Sequence, residues 1–146
     1  MLPEGYSIRE VKASDHLPYL ESLKVLTTVG EISKSQFEEL VEYWKKNEVY
    51  HPHVVANEKD EVVATGMLLI ERKAIHECGL VGHIEDISVA GHQQGKKLGY
   101  NMICTLAEKA KQAGCYKVIL DCSPHNVEFY EKCGFKNDGT EMVKRF

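Results

Sequence analysis

Residues 83–99, HIEDISVAGHQQGKKLG, bring together the residue types in this chain that are best suited to chemistry. The β-branched and apolar first half predicts a strand that stops at Val89, and residues 94–99 then lead into an amphipathic helix. The first turn of a helix has backbone N–H groups without partners and carries the positive end of the helix dipole. A glycine-bearing turn at that point therefore favours a phosphate group, and Gly95 and Gly99 leave the backbone open to it.

Two carboxylates, Glu85 and Asp86, lie in the predicted strand that leads into this turn. In a regular strand adjacent side chains point to opposite faces, so one of the two would be an ordinary surface charge. A β-bulge, which is common near active sites, would turn both towards one cleft. Carboxylates beside a phosphate site suit a ligand that carries both a polyphosphate and a protonated amine.

Asp121 and Tyr130 each have more than one interpretation. Asp121 ends an apolar strand, where a carboxylate could be solvated, cap the next turn or accept a proton. Tyr130 by itself is typical of a core aromatic whose hydroxyl reaches the surface. His51 and His53 have metal-like spacing, but no carboxylate or cysteine completes a ligand set, so no metal site is predicted.

The composition indicates one ordinary globular domain that spans residues 1–146. A net charge of -4 gives no electrostatic reason to expect a nucleic acid partner. No apolar run approaches the roughly 20 residues of a membrane span, and the N-terminus has no basic-then-apolar leader, so neither membrane insertion nor export is expected. The five cysteines include no CxxC pair, which predicts reduced thiols in a cytoplasmic protein.

Hydrophobic periodicity predicts an α/β (α+β) fold whose elements follow the order β-α-α-β-β-β-α-β-α-β. Strand patterns cover residues 6–11, 49–56, 62–71, 80–89 and 116–122, with a terminal strand within 136–146, and helical patterns cover residues 17–28, 33–44, 95–113 and 126–133. Gly30 is expected to end the first helix and Ser33 to cap the second, while residues 57–61 form a hairpin loop. Because strand and helix alternate only near the end, we expect a mixed, mostly antiparallel sheet flanked by helices.

These features together resemble the GNAT superfamily of acetyl-CoA-dependent N-acetyltransferases. The resemblance rests on the strand order, on the turn QGKKLG and on the later segment NVEFYEKCGF. It implies acetyl-CoA as cosubstrate, and it places a tyrosine, here Tyr130, against the cofactor sulfur. The residues that it assigns to acetyl-CoA are Ile87, Ser88, Val89, Gln94, Gly95, Lys96, Lys97, Leu98, Gly99, Asn126 and Tyr130.

One residue departs from the superfamily pattern. The fourth position of the turn is usually glycine, and here it is Lys97, which bears on how closely a pyrophosphate can approach the backbone. Close relatives vary at this position, so we expect the lysine to be tolerated.

Within the superfamily, the segments LKVLTTVG, IERK with IHE, GHIEDI and CYKVILDC are similar to the enzymes that acetylate glucosamine 6-phosphate. The resemblance implies an amino-sugar phosphate as substrate, a product on the route to UDP-N-acetylglucosamine, and a homodimer whose C-terminal strands cross between subunits. Arg145 would then act in its own subunit or on its partner's site. The residues that the resemblance places around the substrate are Thr27, Lys73, His76, Glu85, Asp86, Lys117, Asp121 and Arg145.

Acetyl transfer to an amine requires a base, because the amine is protonated near neutral pH. Asp121 is the first candidate and Glu85 the second, with Asp86 beside them. Backbone N–H groups around Ile87 are expected to stabilise the oxyanion, and Tyr130 to donate to the leaving thiolate in a ternary complex. Two alternatives stay open: a GNAT enzyme for a protein or polyamine amine, with an acidic groove, and a CoA-binding module without turnover.

Overall fold

The computed structural model describes residues 1–146 and contains one five-stranded sheet with the strands in chain order. The first four strands pair antiparallel, and the fifth lies parallel to the fourth. This arrangement confirms the predicted mixed, mostly antiparallel sheet. The strands are Ser7–Glu10 (β1), Tyr50–Ala56 (β2), Val62–Arg72 (β3), Leu80–Val89 (β4) and Cys115–Ile119 (β5). The helices are His16–Leu23 (α1), Lys34–Lys46 (α2), Ile75–Cys78 (α3), Leu98–Gln112 (α4) and Val127–Lys132 (α5).

Helices cover both faces of the sheet because successive strand residues point to opposite sides. On one face, buried residues of α4 such as Met102, Ile103 and Leu106 pack with Val55 and Ile84. On the other face, α1 and α2 contribute Tyr19, Leu20, Phe37 and Val41, which pack with Val54. Each fully buried aliphatic side chain stabilises the fold by roughly 1.5–3 kcal/mol relative to an exposed one, so the two clusters fix α1 and α4 on β3 and β4.

The predicted cap of the second helix and the predicted hairpin loop are both confirmed. Ser33 caps α2: its hydroxyl accepts a hydrogen bond from the Gln36 N–H at 3.1 Å, while the Gln36 side chain accepts one from the Ser33 N–H at 2.8 Å. The β2–β3 hairpin closes with a hydrogen bond of 2.9 Å from the Asn57 N–H to the Glu61 carbonyl.

Helix boundaries differ from the sequence prediction in two places. The first helix ends at Leu23 instead of residue 28, and only turns follow it before Gly30. The helix predicted from residue 95 begins at Leu98, because the φ angles of Gly95 and Lys97 are +86° and +58°, outside the right-handed helical region.

Two other expectations about the elements were incomplete or wrong. The connection from β3 to β4 contains α3, a single turn that the sequence did not predict, whose residues His76, Glu77 and Cys78 have positive φ angles. The terminal strand expected within residues 136–146 is not formed, since no helix or strand follows α5. A strand requires hydrogen bonds to a neighbouring strand, and this segment pairs with none in its own chain.

No helix is both long enough and apolar enough to span a lipid bilayer. The cysteines are all free thiols. No cluster of three or more His, Cys, Asp or Glu side chains has an arrangement that could hold a metal ion.

Candidate active site

A β-bulge in β4 determines where the two adjacent carboxylates point. Thr65 of β3 lies opposite Ser88, whereas Met67 lies opposite Glu85, so the single residue Gly66 faces two residues of β4. Asp86 is one of these two and has a φ angle of +52°. Consequently Glu85 and Asp86 both reach solvent instead of alternating between core and surface. Of the two arrangements that the sequence left open, the structure has the bulge.

Contacts from three elements hold the bulge in place. The Thr65 hydroxyl donates to the Asp86 carbonyl at 2.8 Å, which satisfies a backbone group that the irregular ladder leaves free. A Cβ atom at Gly66 would lie 2.7 Å from Met102 Cγ and 2.9 Å from Ile87 Cδ1, so α4 and the bulge require a glycine there. From the other face, the Ser88 hydroxyl donates to the carbonyl of Ser22 in α1.

The sheet opens next to the bulge. β5 pairs with β4 only over Leu80–His83, although β4 continues to Val89. Beyond His83 the edge of β4 that faces away from β3 therefore has no neighbouring strand. Asp121 follows the end of β5 on the opposite side of this cleft. The cleft is thus bounded by the bulge, by an unpaired strand edge and by Asp121.

The carboxylates of this cleft influence one another. Partial burial raises the pKa of Glu85, and the negative charges of Asp121 and Asp86 raise it further. Burial also raises the pKa of Asp86. A hydrogen bond with Asp121 raises the pKa of Glu141, a residue of the C-terminal segment. Sequence reasoning missed Glu141, since it lies outside any motif and only the course of the terminal segment brings it to Asp121.

Tyr130 lies at the same cleft. Burial is the main cause that raises the pKa of its hydroxyl, and the negative charge of Asp121 raises it further. The ring packs edge-on against Phe129 and Phe135, with centroids 5.0 Å and 6.2 Å away. The hydroxyl is therefore protonated at neutral pH and available as a hydrogen-bond donor.

The turn before α4 leaves backbone donors free. The first hydrogen bond of the helix runs from the Asn101 N–H to the Lys97 carbonyl at 3.0 Å, so the amides of Leu98, Gly99 and Tyr100 have no partner within the helix. The N-cap residue Lys97 makes no side-chain cap. The space that a Cβ of Gly95 would occupy has no atom within 4 Å. This arrangement fits a diphosphate, and the left-handed φ angle of Lys97 explains why glycine is usual at its position.

α5 connects this turn with the catalytic candidates. A Cβ at Gly99 would lie 3.7 Å from the Phe129 ring and 3.6 Å from Val89, both ordinary packing distances. Asn126 immediately precedes α5, where its N–H donates to the Ser123 carbonyl at 2.9 Å. The predicted cofactor residues on β4, the turn and α5 are therefore neighbours in space.

Three of the predicted substrate residues, Lys73, His76 and Lys117, lie away from the carboxylates. Lys117 of β5 pairs with Val81 of β4. Val81 lies four residues before Glu85, a distance of about 13 Å along β4 at the usual rise of a strand. Next to Lys117, His76 stacks on Tyr116 with the ring centroids 4.3 Å apart, and Lys73 Nζ lies 3.1 Å from Glu71 Oε1.

The other two predicted substrate residues lie elsewhere. Thr27 follows α1, where its N–H donates to the Leu23 carbonyl at 3.2 Å. Arg145 lies near Glu141, and its charge partly offsets the rise in the pKa of that carboxyl. One chain therefore gathers the carboxylates but not Lys73, His76 and Lys117.

Comparison with known proteins agrees with this geometry. The profile of the acetyltransferase (GNAT) family matches residues 17–135. A Candida albicans protein named glucosamine 6-phosphate N-acetyltransferase is 61% identical over 148 residues, covering 100% of this chain and 99% of that protein. An Arabidopsis thaliana protein of the same name is 38% identical, with 99% of each covered. The crystal structure of glucosamine-6-phosphate N-acetyltransferase from Arabidopsis thaliana, also 38% identical, matches with a TM-score of 0.92 over 97% of this chain and 98% of that one. This chain belongs to the GNAT acetyltransferase family.

Proposed function

We propose that this protein transfers the acetyl group of acetyl-CoA to the amine of D-glucosamine 6-phosphate. The observation that carries the proposal is the proximity of Glu85 to Asp121 across the cleft, with Asp86 next to Glu85 in the bulge and free amides at the start of α4. The named relatives that match almost the full chain support this choice of acceptor. The product would enter the route to UDP-N-acetylglucosamine.

Acetyl-CoA supplies the acetyl group as a thioester. Two sets of backbone groups in this chain would bind it. The free amides of Leu98, Gly99 and Tyr100 would bind the diphosphate. The unpaired edge of β4 over Ile87, Ser88 and Val89 would hydrogen bond the amide groups of the pantetheine arm. Both sets lie on regular elements, so the ligand would be held by groups that are already in position.

The carboxylates would bind the ammonium group of the acceptor and remove its proton. The raised pKa of Glu85 brings its carboxyl closer to the neutral range in which a base must work. Asp121 lies across the cleft and is the other candidate base, whereas Asp86 adds negative charge that attracts the ammonium group. No nucleophilic cysteine is required, because the free amine attacks the thioester directly in a ternary complex.

Two groups would stabilise the charges that develop during attack. The N–H of Ile87, at the bulge, would donate to the carbonyl oxygen as it becomes negative. The Tyr130 hydroxyl would donate to the departing sulfur, since its raised pKa keeps it protonated. Each contact is stronger in the transition state than in the bound reactants, as catalysis requires.

A homodimer would complete the phosphate site. Within one chain, Lys117, His76 and Lys73 lie towards the end of β4 away from the bulge, and Arg145 is the predicted cation that lies near Glu141 and Asp121. A second subunit would add further cations near the carboxylates. Met142, Val143 and Phe146 of the terminal segment are exposed, as are Tyr116 and Ile119 on the edge strand β5. Exchange of the terminal segments would cover these apolar side chains and move Glu141 and Arg145 together from their own cleft to the partner's cleft. The free thiols favour a cytoplasmic location.

A second acceptor class has one observation in its favour. Glu141 joins the other carboxylates in the cleft, and an acidic groove suits a polyamine or the lysine of a peptide. Thiol release from acetyl-CoA across glucosamine 6-phosphate, glucosamine, spermidine and a lysine peptide distinguishes the candidates. We expect glucosamine 6-phosphate to give the highest kcat/KM. A preference for spermidine or the peptide would replace the proposal, and CoA binding without thiol release would indicate a binding module.

A further inference from the structure

A hydrogen-bonded network of Tyr6, Gln93 and Lys96 lies beside the turn before α4, and the proposed mechanism uses neither Tyr6 nor Gln93. The Tyr6 hydroxyl donates to Gln93 Oε1 at 2.8 Å. Lys96 Nζ donates to the same oxygen at 2.8 Å and to the Tyr6 hydroxyl at 3.1 Å. The Lys96 ammonium also lies 5.4 Å from the centre of the Tyr6 ring.

These contacts fix the position of a cation. An ammonium group has three N–H donors, and the network uses two of them, so one donor remains for a ligand. Gln93 is only 8% exposed, and Tyr6 packs against the core cluster that contains α4, so both acceptors are anchored. A free surface lysine would lose side-chain entropy when it binds a phosphate, whereas Lys96 has already been ordered by folding.

The location of the network connects it with anion binding. Lys96 directly follows Gly95, whose flank is open, and precedes the residues whose amides are free at the start of α4. The neighbouring Lys97, in contrast, makes no side-chain hydrogen bond or ion pair and has only its backbone carbonyl engaged. The turn thus presents one restrained cation and one unrestrained cation.

We propose that Tyr6 and Gln93 are positioning residues that orient Lys96 towards a phosphate of CoA. This inference rests on the proposed use of acetyl-CoA, and it makes the N-terminal segment a part of the cofactor site. It predicts that the Tyr6 hydroxyl acts on affinity only through Lys96. It also predicts that KM for acetyl-CoA responds to Tyr6, whereas kcat does not, because the phosphate is remote from the reacting acetyl group.

The test is a double-mutant cycle that measures CoA binding by calorimetry in Tyr6→Phe, Lys96→Met and the double variant. Tyr6→Phe keeps the ring and its packing, and the loss of one hydrogen bond should weaken binding by roughly three- to tenfold. In the Lys96→Met background, Tyr6→Phe should have no further effect. Gln93→Met, which keeps the length of the side chain, should reproduce the effect of Tyr6→Phe. Tyr43→Phe, an exposed tyrosine on α2, is the matched control and should bind like wild type.

Repeating the titration with 3′-dephospho-CoA identifies the phosphate. A loss confined to CoA assigns Lys96 to the 3′-phosphate, and an equal loss with both ligands assigns it to the diphosphate; both results support the proposal. Wild-type affinity in Tyr6→Phe, or an undiminished effect of Tyr6→Phe in the Lys96→Met background, overturns it while leaving acetyl-CoA use intact. Failure of the wild-type protein to bind CoA would overturn both proposals.

Discussion

At the scale of single residues, the candidate site depends on side chains held in conformations that they adopt at some energetic cost. Asp86 has a left-handed φ angle within a strand, which aspartate tolerates better than most residues because its short polar side chain can bond locally. Its carboxyl is also partly desolvated, together with that of Glu85. Such local strain is typical of functional sites, where the surrounding packing maintains it.

Replacing Tyr130 with phenylalanine should slow turnover without weakening cofactor binding. The change removes one hydroxyl and keeps the packing against Phe129 and Phe135. If the hydroxyl donates to the leaving sulfur, kcat should fall by roughly tenfold or more, the scale of one lost transition-state hydrogen bond. Steady-state kinetics with calorimetry of CoA binding tests this. Turnover at the wild-type rate would restrict Tyr130 to a packing role.

Replacing Asp86 with asparagine should stabilise the protein at neutral pH but not at acidic pH. Burial raises the pKa of Asp86 in the folded state above its ordinary value of 3.8. Below that value both states are protonated and the group carries no penalty. As the pH rises through the folded pKa, the unfolded chain ionises more readily, so the folded state loses stability. Asparagine removes this loss and also tolerates a positive φ angle.

Thermal unfolding of wild type and Asp86→Asn at about pH 3.5 and about pH 7.5 measures this effect. We expect the Tm of Asp86→Asn to exceed that of wild type by more at the higher pH than at the lower pH. Asp138→Asn, an exposed residue of the C-terminal segment, changes the net charge equally and should show no such growth. An advantage that is the same at both pH values would contradict the linkage.

At the scale of elements, the strand, turn and helix from β4 to α4 form the proposed cofactor side of the candidate site. The bulge directs the carboxylates, the early end of the β4–β5 pairing opens the cleft, and the start of α4 supplies free amides. Each feature is an interruption of regular pairing. The free polar groups that result are those that a polar ligand can satisfy.

Replacing Gly99 with alanine should weaken CoA binding without lowering the stability of the fold. The added Cβ would meet Val89 and Phe129 at ordinary distances of 3.6 and 3.7 Å, and alanine favours a helix by about 0.5–1 kcal/mol over glycine. Stability should therefore hold or increase, while CoA affinity should fall if the diphosphate approaches the backbone at Gly99 as proposed. Calorimetry and thermal unfolding measure the two effects, with Gly139→Ala, at an open position, as control. Unchanged affinity would move the phosphate site away from this turn.

At the scale of the whole molecule, one chain does not bring all of the proposed substrate residues together. The carboxylates converge at the bulge, whereas Lys117 and its neighbours lie near the opposite end of β4. The terminal segment carries exposed apolar residues and Arg145 but pairs with no strand. A dimer that exchanges these segments would explain both features.

Replacing Arg145 with alanine should reduce the preference for glucosamine 6-phosphate over glucosamine. A charge-assisted contact with a phosphate contributes roughly 1.5–3 kcal/mol, so the ratio of kcat/KM values should fall by about tenfold or more. The two ratios, measured on wild type and variant, check this. Lys136→Ala, a cation outside the predicted set, is the control. A ratio equal to that of wild type would remove Arg145 from the phosphate site.

The same variant tests whether the contact is made between subunits. Co-expression of Arg145→Ala with Asp121→Asn subunits produces hybrid dimers in which one site has both intact groups if the contact is in trans. Such hybrids should recover part of the activity that each variant lacks alone. Verified hybrids without recovery would place Arg145 in its own subunit's site.

The sequence by itself determined most of the elements and the class of chemistry, because these depend on local patterns. The β-branched and apolar run before Val89 and the glycines after it predicted a strand, a turn and a helix, and all three are present. The N-cap at Ser33 and the hairpin at residues 57–61 were likewise predictable from neighbouring residues. Motif order was sufficient to indicate the family.

Tertiary structure decided the directions of the side chains and the neighbours of the site. That Glu85 and Asp86 both reach solvent depends on a register shift between β3 and β4, at which Gly66 packs closely against α4. The proximity of Glu141 to Asp121 and the tie between Tyr6 and Lys96 join residues far apart in the chain, so no local pattern could show them. The terminal strand failed as a prediction because strand formation requires a pairing partner, which periodicity does not supply.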